Sequence, residues 1–96
     1  MLQKITIQTS NAKRLKPIIQ SAIQFQLDDV EKGIRLTLER LKSFEQQYHM
    51  STAEFLRHFK PGDLEETLDF IEWQGETKML ALLEEKRDAL KDARLK

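Results

Sequence analysis

Leu68-Asp69-Phe70-Ile71-Glu72-Trp73-Gln74-Gly75-Glu76 holds the only tryptophan of the chain, one of its three glycines and the centre of its acidic run. Wound as an α-helix at about 100° per residue, it places Glu65, Asp69, Glu72 and Glu76 within a band of roughly 60°. Leu64, Leu68 and Ile71 form a neighbouring apolar ridge, and Phe70 and Trp73 point to another side. That is more apolar surface than packing against a single neighbour normally requires. The stretch predicts a helix with a core ridge, an acidic edge and a separate aromatic face.

Outward from it, the periodicity predicts a helix over 64–93. Its expected core positions are Leu64, Leu68, Ile71, Met79, Leu82 or Leu83, and Leu90. Gly75 interrupts the side-chain pattern, where another backbone can approach closely or the helix bends. Asp63, with Glu66 three residues on, reads as a capping box opening this helix, and Lys60-Pro61-Gly62 closes the element before it. That element is a short helix over 52–59, opened by a Ser51–Glu54 capping box with Met50 and Phe55 at the staple positions.

Further upstream, Ile19, Ile23, Leu27, Val30, Ile34, Leu38, Leu41, Phe44 and Tyr48 recur at steps of three and four. They predict one long amphipathic helix over about 17–49, with Pro17 as its first residue and Gly33 in its interior. Ile18, Phe25 and Leu36 lie off this stripe and mark a second contact face. Residues 2–8 alternate, with Ile5 and Ile7 on one face, and predict a short N-terminal β-strand. Such a strand needs a partner, either the same strand of a second subunit or the sheet edge of another protein. The expected fold is mainly α: a single domain over 1–96, built as a long helical hairpin with coiled-coil character.

Composition narrows the function classes. Forty per cent hydrophobic and 33% charged residues suit an extended helical core that a second chain completes. The chain has no cysteine, which excludes disulfides, thiolate chemistry and cysteine metal sites. No apolar run reaches the roughly 18 residues of a membrane span and no signal peptide is visible, so a cytoplasmic location and no membrane contact are expected. The formal net charge of zero hides a pattern. Residues 1–42 hold 8 Lys/Arg against 4 Asp/Glu, residues 43–77 hold 2 against 8, and residues 78–96 hold 6 against 4. The acidic middle suits a basic partner, or the basic ends of a second copy.

Catalytic chemistry finds little to build on. Asp69, Glu72 and Glu76 have no nucleophile, oxyanion donor or glycine loop beside them in the sequence, so no enzyme is expected. Glu45–His49 and Glu54–His58 have the i, i+4 spacing of surface pairs, unlike the i, i+3 Glu-x-x-His of helical di-iron sites; neither metal nor cofactor is expected. Phe70 and Trp73 fit either a core or an interface, because aromatics rimmed by charge also make binding hot spots. The candidate partner-binding residues are Asp69, Phe70, Glu72, Trp73 and Glu76. A strand followed by a helix also suits ribbon–helix–helix DNA binding, with Gln3, Lys4, Thr6 and Gln8 facing the groove, although the long first helix does not fit that pattern.

Phe44-Glu45-x-x-Tyr48-x-Met50-Ser51-x-x-Glu54-Phe55, then Gly62-x-Leu64, then Leu68-Asp69-Phe70-Ile71-Glu72-Trp73-x-Gly75-Glu76, resembles a set of short prokaryotic proteins encoded beside small TumE-type toxins and treated as their antitoxins. Arg14-Leu15-Lys16-Pro17-Ile18-Ile19 is similar to the opening of that group. The resemblance implies the antitoxin half of a type II toxin–antitoxin module, with a toxin-like protein as partner and no catalytic residues. Joined to the residue reading, it predicts steric and electrostatic masking by Asp69, Glu72 and Glu76, with Phe70 and Trp73 as anchors. The alternatives are a self-associating helical module, as a homodimer or larger homo-oligomer, and a repressor that binds operator DNA through the basic N-terminal third, including Lys4 and Arg14.

Overall fold

The computed structural model describes residues 1–59 and 67–95. These hold three helices: α1 (Ala12–Tyr48), α2 (Thr52–His58) and α3 (Leu68–Asp92). The pairs Phe44–Trp73, Arg40–Glu76, Gly33–Leu83 and Glu31–Lys91 rise in one helix as they fall in the other, so α1 and α3 run antiparallel. The hairpin measures 58 × 24 × 19 Å. Its radius of gyration is 19.0 Å, against about 12–13 Å for a compact chain of this size, so the shape is a rod.

α1 begins earlier than its sequence predicts. Thr9 Oγ1 accepts from the Asn11 N–H at 3.0 Å, and the Asn11 side chain accepts from the Arg14 N–H at 3.4 Å, which makes Asn11 the N-cap. Pro17 therefore lies inside the second turn. It costs one backbone hydrogen bond there, while its fixed φ suits the helix. The helix then runs unbroken through Gly33.

At the far end His49 adopts the left-handed conformation at φ 53°, and its N–H and that of Met50 both reach the Glu45 carbonyl. The Glu45 side chain turns to α2 and accepts from the Thr52 N–H at 2.7 Å. Ser51 Oγ accepts from the Glu54 N–H at 3.1 Å, as the capping box requires. α3 is capped by Thr67, whose Oγ1 accepts from the Phe70 N–H at 3.1 Å. The expected Asp63–Glu66 box lies outside the described residues.

Two expectations are corrected. Residues 2–8 form no strand and carry no regular structure. A strand satisfies its backbone through a neighbouring edge, and none is present among the described residues. The second correction concerns the face of α3. Leu68 (76% exposed), Ile71, Met79 and Leu82 (58% exposed) point outward, and Phe70, Trp73 and Leu80 turn toward α1 together with Leu83 and Leu90, which are expected there; Leu64 lies outside the described residues. Both ridges are apolar; the bulk of the aromatic rings decides between them.

The buried apolar residues are Val30, Ile34, Leu41, Phe55 and Trp73, with Thr37 buried beside them. The close approach falls at Gly33, where an added Cβ would stand 3.2 Å from Leu83 Cδ1, while nothing lies within 4 Å of the same position on Gly75.

His49→Gly removes a left-handed conformation that costs an L-residue about 1–2 kcal/mol, against the roughly 0.5–1 kcal/mol of backbone entropy that glycine loses on folding. The variant is expected to be up to about 1 kcal/mol more stable, read as a higher midpoint in thermal unfolding followed by circular dichroism.

Candidate functional site

Trp73 is fully buried. Its ring stacks on Phe55 of α2 with centroids 4.0 Å apart and planes 1° from parallel. Phe44 and Tyr48 of α1 pack on it at 5.5 and 5.9 Å. The indole Nε1–H donates to Thr52 Oγ1 at 3.0 Å, so the one polar atom of the ring is satisfied inside. Phe70 joins the same cluster, 5.1 Å from Tyr48 and 5.5 Å from Phe55, with Phe59 at 6.0 Å. Of all the aromatic residues only Phe25 lies away from it, 70% exposed on α1.

The five candidate binding residues lie in different surroundings. Trp73 joins three helices and is closed to a partner, and Phe70 is half-buried behind Tyr48 and Phe55. Asp69 accepts from the Tyr48 hydroxyl and, at 3.3 Å, from Gln47 Nε2. Glu76 Oε1 meets Arg40 Nη1 at 3.4 Å, and its Oε2 is buried with no hydrogen-bond partner among the described residues. Glu72 alone is exposed and makes no ion pair among them. The acidic edge thus divides: Asp69 and Glu76 serve the α1–α3 contact, and Glu72 faces out.

The hydrogen bond to Asp69, with burial and the negative carboxylate adding to it, pushes the Tyr48 hydroxyl above its ordinary pKa of 10.0. The neutral phenol is the form the fold favours. Its stabilisation is complete below pH 10 and is lost as the pH rises through the elevated folded value.

Outside this cluster lies surface that the sequence reading assigned to the core. Leu68, Ile71, Gly75, Met79 and Leu82 follow one another along the outward face of α3. A shallow groove of about 550 Å³ continues the stripe, lined by Met79, Leu82, Leu83, Glu85, Lys86 and Ala89. Its lining offers mainly apolar contact and brings together no nucleophile with a base. On α1, Ile18, Phe25 and Leu36 are exposed as the second face their spacing predicts. Lys4 and Arg14, which the DNA reading requires, are exposed, and the segment carrying Gln3, Thr6 and Gln8 has no paired strand among the described residues.

No cluster of three or more potential metal-ligating side chains occurs among the described residues. No helix among them is long and apolar enough to cross a membrane. No family model, curated protein or solved structure matches the chain.

Trp73→Ala removes the shared ring of three helices and is expected to cost about 3–5 kcal/mol, seen as loss of the cooperative urea transition, whereas Glu72→Lys stays within about 0.5 kcal/mol of the parent. In urea titrations stepped from pH 8 to pH 11.5, the parent should lose stability above pH 10 more steeply than Tyr48→Phe.

Proposed function

We propose that this chain is a protein-binding module acting as the antitoxin of a toxin–antitoxin pair, without catalysis of its own. The observation that carries the reading is residues 1–9, an exposed segment outside every helix. Within it Leu2 (92% exposed), Ile5 (93% exposed) and Ile7 are apolar side chains at the surface. The alternation of Ile5 and Ile7 suits a strand that forms only when another protein's sheet edge supplies the missing hydrogen bonds. Main-chain pairing gives affinity in that mode, and pockets for Ile5 and Ile7 give specificity.

The acidic middle supports a basic partner. Residues 43–77 carry a net charge of −6, and Glu72 displays part of it on the surface. A field of that sign steers a nucleic-acid-processing protein, whose own working surface is positive, toward the rod. Masking therefore no longer depends on Trp73 and Phe70, which are engaged inside.

The test is co-expression with the neighbouring open reading frame, scored by growth rescue and by affinity capture. The parent should capture and silence the neighbour's product. A variant lacking residues 2–8 should keep its helical circular dichroism and lose capture by at least tenfold. Full rescue without the segment would remove it from the binding surface, and a harmless or uncaptured neighbour would end the antitoxin reading.

A further inference from the structure

The outward face of α3 is complementary to itself. Leu68, the most exposed apolar residue of that helix, and Ala89, one of its smallest, stand at opposite ends of the stripe. Leu82 projects from it, and Gly75 leaves a gap in which an added Cβ would meet nothing within 4 Å. The midpoint between Leu68 and Ala89 along the chain is the midpoint between Gly75 and Leu82: both fall between Lys78 and Met79. A single two-fold axis crossing the helix at that point, set perpendicular to it, therefore seats Leu82 of each copy over Gly75 of the other and Leu68 over Ala89. Both large-over-small matches are met by one axis, as an isologous contact, in which residue i meets j and j meets i, requires.

We propose that the occupant of this face is a second copy of the chain, with the two α3 helices antiparallel. Met79, a flexible side chain suited to a close symmetric contact, lies beside the axis. Ile71 of one copy falls level with Lys86 of the other, over the groove that Met79, Leu82, Lys86 and Ala89 line. Charge favours the register toward its ends and opposes it at the axis, where Lys78 of the two copies stand side by side. Glu72, the outward carboxylate of the acidic half, comes beside Lys86 of the opposing helix, and does so twice because the contact is symmetric. A parallel pairing would instead set Glu72 against Glu72 and Leu82 against Leu82, with no gap to receive either leucine.

Every residue invoked in the contact lies on α3, so the variant lacking residues 2–8 should dimerise like the parent. In sedimentation equilibrium at tens of micromolar the full chain is expected at twice its 11.3 kDa mass. Gly75→Leu fills the gap, its Cβ standing in open space, and improves helix propensity, so it should keep or gain helicity while weakening dimerisation at least 100-fold. Leu82→Asp should do the same by removing the knob.

Register is read by oxidative cross-linking, which the absence of cysteine makes clean. The double variant Gly75→Cys, Leu82→Cys should form an intermolecular disulfide between the unlike positions, identified by peptide mapping. A monomeric parent, a Gly75→Leu variant that dimerises like the parent, or links joining only like positions would each overturn the proposal.

Discussion

The stack of Trp73 on Phe55 holds the hairpin closed. α2 is too short to persist alone, since helices below about 12–15 residues are marginal in water. It is fixed because Phe55 lies under the indole at 4.0 Å and Thr52 takes the indole N–H. The link from α1 into α2 is fixed in turn by His49 in the left-handed conformation and by Glu45 receiving the Thr52 N–H. Thr52 is thus held twice, by its backbone to α1 and by its side chain to α3. Removing the ring would free a threonine hydroxyl, two phenylalanine faces and the entry of α2 together, so its loss is felt by all three helices.

The two interior glycines divide the labour between the inner and outer faces of the rod. At Gly33 the absence of a Cβ lets Leu83 approach α1, which brings the helices together near the middle of their contact. At Gly75 no atom of the described residues lies within 4 Å of where a Cβ would stand. A glycine in a helix interior costs about 1 kcal/mol relative to alanine, so one that serves no packing within its own chain is a cost that contact with another chain can offset. The same argument applies to Leu68, Ile71, Met79 and Leu82 around it, which together leave more apolar surface in one strip than scattered single residues would.

The helical elements were largely legible in the chain, and the face of α3 was not. Steps of three and four from Ile19 to Tyr48 give α1, and Ser51 with Glu54 marks the start of α2 to the residue. α1 starts before Pro17 because Asn11, itself held by Thr9, caps the helix there, and the added turn outweighs the one backbone hydrogen bond that Pro17 forgoes. For α3 the pattern contains two apolar ridges of similar length. Periodicity measures that a ridge exists, whereas its partner decides which one is buried. Here the decisive fact is three-dimensional: Phe44, Tyr48 and Phe55 converge from two other helices and only a ring the size of Trp73 spans the space between them. The acidic edge divides for a related reason. Asp69 and Glu76 lie on the side of α3 nearest α1, where Tyr48 and Arg40 await them, and Glu72 lies past the rim. Only the accident of which ridge faces inward separates the three.

The rod is also unequal along its length. Every buried residue lies at or beyond Val30, and the aromatic cluster occupies the end where α1 meets α2. Toward the other end Ile19, Ile23 and Leu27 are only half-buried. The pairing of Gly33 with Leu83 and of Glu31 with Lys91 means that α3 ends, at Asp92, well before the start of α1 is reached. The first turns of α1 therefore have no helix opposite them among the described residues, and Lys13, Arg14 and Lys16 sit where the helix dipole disfavours positive charge. Local opening free energy falls where few apolar contacts hold a segment, so this end is the one that can reshape at least cost. It is also the end that carries Leu2, Ile5 and Ile7. Packing is dense at the aromatic end and sparse at the end that carries residues 1–9.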